Sequence, residues 1–336
     1  MREEKEYRER CAARGLGAEA IERAVAVVEA FEASLGPGEA GHPLAAVERH
    51  LAGLVARGGA SEEAIMALAR YFAVSREEAL AIRLLAYLLP VGVLPAMGER
   101  LGQLEGEGCR ARVMAGVAEP PTGAPPEAYP APTQAFVKAL EAELGRVRAA
   151  RVLRWNVHGI PAAAHAAERE AYLAAPSLEA WLEGWHGRQV AVLERHAADG
   201  SLWYEQRITS RVVDYVRANP EILGAVREGD RLYATKIPYD PDRYLTSSDP
   251  VEKRRLACHC PLAASTIASG GAGVDPLWCE CSAGYEKFIF DVVFGEETEA
   301  EVLESVLSGS ERCRYAIRIP ASALARERER NAAQAR

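Results

Sequence analysis

Apolar residues in the first third of the chain recur every three to four positions, the spacing that lines one face of an α-helix. This pattern predicts helices over residues 19–35, 43–55, 64–72 and 79–89. Ser61 and Ser75 stand shortly before the last two segments, and glutamates follow each serine, as expected for an N-cap and an acidic first turn. The sequence therefore predicts a helical domain over residues 1–117.

A proline-rich segment follows this predicted domain. Six prolines fall within residues 119–133. Proline fixes the backbone angle φ and has no N–H to donate, so such a run favours an extended, exposed connector. We therefore predict a domain boundary here, with residues 118–133 as the connector.

The second half of the chain changes from helical to strand-like patterns. Helices are expected near 134–148, 177–199 and 209–218, with a possible strand at 151–155. Strands are expected over 231–239 and 255–260, and a terminal hairpin over 299–307 and 313–319. The predicted fold class is α+β: a helical N-terminal domain followed by an antiparallel-sheet α+β domain over 134–320 that carries a Cys-rich site. Residues 321–336 form a charged tail.

Composition and charge narrow the class of protein. Of the 336 residues, 49% are hydrophobic and 26% are charged, which is usual for a globular protein with a sizeable core. Lys and Arg number 40 and Asp and Glu 48, so the net charge of −8 argues against a nucleic-acid binder. The charged start and the short, proline-interrupted apolar run at 84–97 predict neither a signal peptide nor a membrane span. We therefore expect a cytoplasmic protein.

Five of the seven cysteines lie within residues 258–313. They form two Cys-x-Cys pairs and one later residue: Cys258, Cys260, Cys279, Cys281 and Cys313. In a reducing compartment this clustering favours a metal site, with zinc as the expected ion, or a reactive thiol site. The structural alternative is that small apolar cysteines pack beneath the terminal hairpin.

The residues around the two pairs predict helix N-termini beside the sulfur atoms. Pro261 suits the first position of a short helix over 261–269, and Ser282 suits the cap of a helix over 283–294 that ends at Gly295. A helix N-terminus favours the thiolate, which is both the metal ligand and the nucleophile. If each pair is extended, its two sulfur atoms point to one side and can share a centre.

The cysteine-containing segment resembles the L-2-amino-thiazoline-4-carboxylate hydrolase family through three runs: Cys260-Pro-Leu-Ala, Cys279 to Cys281, and Gly309-x-x-x-Cys313-Arg-Tyr. Its last part is also similar to 4-vinyl-reductase-type small-molecule-binding domains, in which cysteines and an acidic residue bind zinc. The similarity covers about residues 255–320, and the whole chain resembles uncharacterised anaerobe-type proteins that share the runs TKIPY, CHCP and CSAG. Taken with the spacing, the resemblance implies Cys260, Cys281 and Cys313 as core ligands, with Cys258 or Cys279 completing the set.

Candidate acid/base residues accompany the cysteines in the sequence. His158 stands in a turn-like Asn-Val-His-Gly context, and Glu205 and Glu304 supply carboxylates. Each side chain type can exchange a proton with a substrate. The alternative for His158 is a histidine that hydrogen-bonds to nearby backbone groups.

Lys236 and Arg254 place positive charge near the cysteines, where a carboxylate could be held or a thiol pKa lowered. The alternative is a solvated charged strand edge. The partner expected is therefore a small-molecule substrate or ligand, for which a carboxylate is one candidate. No nucleic acid or membrane partner is expected, and a homo-oligomer remains possible.

The function predicted is that of a metal-dependent hydrolase or lyase acting on a small carbon–nitrogen or carbon–sulfur compound. Zinc would polarise the substrate or activate water. A small-molecule-binding sensor module with a structural zinc is the first alternative. A thiol redox or sulfur-transfer protein is the second.

Overall fold

A computed structural model of the chain describes residues 1, 3–39, 41–204, 206–267 and 273–334. The chain divides into two compact units: 1–94 with 118–132, and 95–117 with 133–336. This division differs from the predicted boundary, because residues 95–117 group with the second unit and the proline-rich segment groups with the first. Each unit is described by itself below.

The first unit is helical, as predicted. Its helices are α1 (Glu4–Ala13), α2 (Ala18–Ala33), α3 (Leu44–Ala56), α4 (Glu62–Val74) and α5 (Glu78–Leu88). Tyr7, Phe31 and Phe72 lie fully buried in its core. The Ser61 hydroxyl caps α4 by accepting from the backbone N–H of Ala64 at 3.1 Å. The cap predicted at Ser75 is wrong, since this residue ends α4.

The proline-rich segment is not an exposed connector. Pro126 and Tyr129 are buried, and a short 3-10 helix covers Pro126–Ala128. Gly123 has φ +87°, and a Cβ there would lie 3.0 Å from Val55 and Ala60, so the segment packs closely on the first unit. Proline stiffened this stretch without keeping it away from the core.

The second unit begins with seven helices in the described part of the chain. They are α6 (Val93–Glu105), α7 (Glu107–Met114), α8 (Pro130–Leu144), α9 (Arg146–Leu153), α10 (Ala166–Ala174), α11 (Leu178–Asp199) and α12 (Ser210–Ala218). The helices predicted over 177–199 and 209–218 are confirmed. The strand predicted at 151–155 is wrong, because α9 continues to Leu153.

A small antiparallel sheet follows, which confirms the α+β class. Its strands are β1 (Val226–Glu228), β2 (Arg231–Thr235), β3 (Ala300–Glu304) and β4 (Arg314–Arg318), in the order β1-β2-β4-β3. The β3–β4 pair is the predicted terminal hairpin. In the β2–β4 register, Ala234 lies opposite Tyr315 and Thr235 opposite Arg314. The ends of β2 and β4 that meet here carry the candidate site.

Four more helices surround the sheet: α13 (Pro241–Thr246), α14 (Pro250–Ala257), α15 (Glu280–Phe294) and α16 (Ala321–Gln334). The strand predicted at 255–260 is wrong. Asp249 caps α14 by accepting from Val251 N–H at 3.0 Å, and Pro250 occupies the first helical position. Phe290 of α15 packs with Trp181 and Trp185 of α11 in the core beside the sheet.

One helical stretch of the described residues, 78–105, is long and apolar enough to cross a membrane by length and composition. It spans α5 and α6. Core helices of globular proteins meet the same criterion, and Leu84, Leu94, Met97 and Leu101 of this stretch are fully buried.

A bidentate ion pair joins the sheet to the segment before it, and it supports a stability prediction. Arg314 donates to both carboxylate oxygens of Glu221, at 2.6 and 2.8 Å, and Thr235 donates to the same carboxylate. These contacts, Arg314 first, lower the pKa of Glu221. We expect Glu221→Gln to lower the free energy of unfolding by about 1–3 kcal/mol at neutral pH. Because the folded-state pKa is depressed, the loss should shrink as pH falls through that pKa.

Urea unfolding at several pH values measures this difference. Glu299→Gln is the matched control, since Glu299 pairs with Arg318 at 3.5 Å and both side chains are largely exposed. An exposed pair contributes little. A Glu221→Gln effect equal to that of Glu299→Gln, or one that does not change with pH, would contradict the assigned role.

Candidate thiol site

The adjoining ends of β2 and β4 bring Lys236 and Cys313 together. The Lys236 backbone N–H donates to the Cys313 carbonyl at 2.9 Å, which extends the strand pairing by one step. Tyr315 lies two residues after Cys313 and therefore shares its face of the strand. Its side chain is 0% exposed, so this face points into the core.

Cys258 and Cys260 follow α14. Cys258 is the residue that ends this helix, and the Cys260 carbonyl accepts from the backbone N–H of Ala264 in a tight turn. The Trp278 indole N–H donates to Cys260 Sγ at 3.2 Å. A turn and an indole donor, not an extended strand, therefore position this pair. The helix predicted over 261–269 is reduced to a 3-10 turn at Ala264–Thr266, and residues 268 and 269 lie outside the described residues.

Cys279 and Cys281 lie where α15 begins, so the condition of an extended pair is not met here. A 3-10 helix, Pro276–Cys279, leads directly into α15, and Asp275 caps it by accepting from Leu277 N–H at 2.8 Å. Positions two apart on a helix point about 200° away from each other. The side chains of Cys279 and Cys281 therefore point in different directions, unlike those of an extended pair. Ser282 lies inside α15 and does not cap it, whereas the predicted end at Gly295 is confirmed, with φ +79°.

Two contacts fix α15 against the segment that carries His158. Arg154 donates to both carboxylate oxygens of Glu280, at 2.5 and 3.0 Å. Gly284 lies so close to the Trp155 backbone that a Cβ would be 2.2 Å from the Trp155 nitrogen. The His158 ring then meets the Tyr285 ring at 5.9 Å between centroids.

Burial dominates the electrostatics of the cysteine cluster. It raises the pKa of every one of the five thiols, and that of Cys281 to about 12. Neighbouring thiols add to the rise for Cys258, Cys279 and Cys281. Without a compensating cation these side chains are neutral thiols at pH 7. Burial therefore outweighs the lowering of the thiol pKa that backbone N–H groups were predicted to give.

Polar groups near four of the five sulfur atoms oppose this rise in the pKa. Burial is the largest effect and raises the pKa of each thiol. A backbone N–H group lowers the pKa in each case. It belongs to Cys260 beside Cys258, to Leu262 and Ala263 beside Cys260, to Leu307 beside Cys279, and to Val306 beside Cys313. The side chains of Trp278, Ser305 and Tyr315 lower the pKa of Cys260, Cys279 and Cys313, respectively, in the same way. We call these four residues the inner thiols.

Cys281 differs from the inner thiols. Apart from burial, the described groups that act on its pKa are Cys260, which raises it, and Lys236, which lowers it. Cys258 responds to all three other inner thiols, whereas Cys281 responds only to Cys260 among the thiols. The inner thiols therefore form one neighbourhood, and Cys281 lies at its border with Lys236.

A group of polar side chains adjoins the thiols on the Cys281 side. The Lys236 ammonium donates to Ser282 Oγ at 3.0 Å, lies 4.0 Å from the Glu286 carboxylate and stands 4.8 Å from the centre of the Tyr285 ring. The side chains of Lys236 and Glu286 are only 15% and 20% exposed. Burial raises the pKa of Glu286, although Lys236 opposes the rise. Tyr315 lies near Ser282 and Glu286. We call Lys236, Ser282, Glu286 and Tyr315 the polar cluster.

Two histidines, His158 and His259, lie near the thiols and the polar cluster. The His259 Nε2–H donates to the Ile237 carbonyl at 2.6 Å, which fixes the tautomer of the neutral ring. Burial, with Lys236 nearby, lowers the pKa of His259 to about 3. Partial desolvation and Lys236 also lower the pKa of His158. Both rings are therefore neutral at pH 7.

A metal site needs several donor side chains placed around one centre. Within the described ranges, no group of three or more His, Cys, Asp or Glu side chains is placed so that it could hold a metal ion. The inner thiols thus offer the soft sulfur donors that zinc takes, but as protonated side chains they do not point at a common centre.

The model of a family of unknown function (DUF6144) matches residues 252–324. This match includes all five clustered cysteines and ends after β4, while Lys236 precedes it. No curated protein and no solved structure matches the chain. The matched segment is therefore the cysteine cluster with its helices and hairpin.

The remaining predicted residues are not brought to the thiols by any described contact. Glu304 binds Arg312 and Ser310 within the hairpin, and these contacts, Arg312 first, lower its pKa. Arg254 lies on α14, with its guanidinium 3.9 Å from where a Cβ on Gly309 would stand. Glu205 lies outside the described residues. Of the acid/base and substrate candidates in the described part of the chain, Lys236 is the one that belongs to the polar cluster.

The prediction from sequence missed Glu286, Ser282, Tyr315 and Trp278. Ser282 and Glu286 are four apart on α15 and so lie on one face, next to Cys281 in the sequence. Tyr315 is two residues from Cys313 on a strand. Both spacings can be recognised in the sequence. Only the packing of α15 at the end of β2 shows that Ser282, Glu286 and Tyr315 meet at Lys236.

Proposed function

We propose that the inner thiols, Cys258, Cys260, Cys279 and Cys313, bind a thiophilic metal ion, zinc in the first place. The support is that backbone N–H groups near each of these four sulfur atoms lower its pKa, since such donors stabilise thiolates and orient metal ligands. Binding requires the thiol side chains to turn toward a common centre as they lose their protons. Cys281, which the sequence placed in the core set, is left out because no such donor in the described structure reaches it.

For the activity, we propose hydrolysis or lyase chemistry on a small carbon–nitrogen or carbon–sulfur compound. The observation that carries this proposal is the Lys236–Glu286 pair, two mostly buried ionisable groups 4.0 Å apart beside the thiols. Perturbed, partly desolvated acid/base pairs are typical of active sites. Glu286, with its raised pKa, takes the acid/base role that the sequence assigned to His158, Glu205 or Glu304. A bound zinc would supply Lewis-acid polarisation of the substrate or of water if one of the four thiols left its position on the metal to them.

A second candidate is a small-molecule-binding sensor module with a structural metal. Four thiolates would fill every position of a tetrahedral zinc ion, whereas catalytic zinc sites keep one position open. The third alternative, thiol redox or sulfur transfer, is less favoured because burial raises the pKa of every clustered thiol and the thiolate is the nucleophile. We place the protein in the cytoplasm, where thiols stay reduced.

The proposal is tested on protein prepared without oxygen. Elemental analysis should find about one metal per chain. A panel of small amides, amidines and thioethers, followed by detection of released ammonia or thiol, should show turnover that Glu286→Gln abolishes while metal content is kept. Metal without turnover would favour the sensor module. Absence of metal would remove the metal proposal.

Zinc binding should release protons. The thiol pKa values lie above their usual range, so each ligating thiol must lose a proton as zinc binds. Titration calorimetry in buffers of different ionisation enthalpy should therefore show release of about one proton per ligating thiol, and the apparent affinity should rise with pH. Affinity that stays constant between pH 6 and pH 8 would contradict binding through these thiols.

A further inference from the structure

The polar cluster contains a buried hydroxyl that lies near Ser282 and Cys313 without a hydrogen bond of standard geometry. The Tyr315 side chain is 0% exposed, and its hydroxyl makes no hydrogen bond of standard geometry. A buried hydroxyl left in this way costs free energy that a bound acceptor would restore. Its neighbours include Ser282, Cys313 and Glu286, which places the hydroxyl on the inner side of the polar cluster.

Lys236 and Ser282 leave further donor capacity at the same place. The Lys236 ammonium has three N–H groups, and one of them donates to Ser282 Oγ. Ser282 accepts that bond, so its own O–H can donate elsewhere. One positive charge and two hydroxyls therefore stand together, at the border between the buried Tyr315 and the partly exposed Lys236.

We propose that Lys236, Ser282 and Tyr315 form a binding subsite for the carboxylate group of a small molecule. A carboxylate has two oxygens and accepts several hydrogen bonds, which matches an ammonium flanked by hydroxyls. Glu286 lies 4.0 Å from the same ammonium and repels a second negative charge, so the subsite suits a monoanion better than sulfate or phosphate.

The subsite rests on the proposed function in one respect: it names the chemical group by which the proposed substrate would be held. It does not require the metal. The probe is sodium acetate, with acetamide as its neutral isostere and sodium sulfate as the dianion. Binding is measured by ligand-observed NMR and by the shift in thermal unfolding, on zinc-loaded and on chelator-treated full-length protein. Acetate should bind, acetamide should bind at least tenfold more weakly, and sulfate should not compete.

Two variants and two controls sharpen the test. Tyr315→Phe removes a hydroxyl that makes no standard bond in the free protein, so stability should not fall while acetate affinity drops about tenfold. Lys236→Met should abolish acetate binding. Lys253→Met, a partly buried lysine paired with Glu311 at 3.3 Å, and Tyr244→Phe, another buried tyrosine of the same core, should bind acetate like the parent.

Each result bears on one proposal. Unchanged acetate affinity in Tyr315→Phe and Lys236→Met, or sulfate binding tighter than acetate binding, would overturn the carboxylate subsite. Acetate binding that persists in protein without bound zinc supports the subsite and leaves the metal proposal to the elemental analysis. Loss of acetate binding in the two control variants as well would show an effect on folding instead of on the subsite, and would also overturn the assignment.

Discussion

Gly284→Ala is expected to destabilise the second unit by about 3 kcal/mol, the upper end of what overpacking costs. An alanine Cβ would stand 2.2 Å from the Trp155 nitrogen and 2.6 Å from its carbonyl oxygen. Both atoms belong to backbone, so no side-chain rotation relieves the overlap. Either α15 or the 154–155 segment has to shift, and the Arg154–Glu280 ion pair opposes that shift.

The chain itself provides a selective probe for this measurement. All five tryptophans, at positions 155, 181, 185, 203 and 278, belong to the second unit. Tryptophan fluorescence in a urea titration therefore follows that unit alone, which avoids treating two units as one transition. Gly187→Ala is the matched control: Gly187 lies in α11, and a Cβ there meets no atom within 4 Å.

The control variant should be as stable as the parent or more stable by up to about 1 kcal/mol, because alanine favours a helix over glycine. If Gly284→Ala behaves like Gly187→Ala, then α15 does not pack on the 154–155 backbone as described. The position of His158 beside Tyr285 would then lose its support as well.

The parts of the fold that could be predicted are those encoded by neighbouring residues. The β3–β4 hairpin combines an alternating pattern with a Ser-Gly-Ser turn, and both signals lie within twenty residues. Tyr315 shares the inward face of β4 with Cys313 by strand alternation alone. The end of α15 at Gly295 follows from the need for a positive φ at that position.

A helix-start signal precedes each of the two cysteine pairs in the sequence. Asp249-Pro250 and Asp275-Pro276 each combine a capping carboxylate with a proline at the first helical position. These Asp-Pro steps start helical turns before each pair, so the pairs leave or enter helices and are not extended. A capping signal of this kind outweighs a short alternating pattern.

The polar cluster could not be predicted, because it depends on contacts between distant parts of the chain. Lys236 and Glu286 are fifty residues apart, and neither stands in a recognisable motif with the other. They meet because β2 pairs with β4 and α15 packs at the end of that pair. Burial then raises the pKa of Glu286, which no feature of its sequence neighbourhood indicates.

Serine substitutions in the cysteine cluster are expected to divide into two groups. Cys258→Ser, Cys260→Ser, Cys279→Ser and Cys313→Ser should each lose most bound metal, because a hydroxyl is a poor ligand for a thiophilic ion. Metal binding is coupled to folding, so the melting temperature of the second unit should fall with the metal. Cys281→Ser should keep its metal, since the sulfur of Cys281 lacks the amide donors that mark the inner thiols.

Cys11 and Cys109 provide the controls, but only for metal content. Both are buried, at 1% and 6% exposure, so a serine hydroxyl at either position costs some stability through lost packing alone. Their metal content should match the parent when measured by elemental analysis after anaerobic purification. Equal metal loss in Cys281→Ser and Cys313→Ser would show that the amide donors do not select the ligands. Unchanged metal in Cys313→Ser would mean that the sulfur atoms are packing groups of the core, because a single missing ligand is enough to weaken a four-thiolate site.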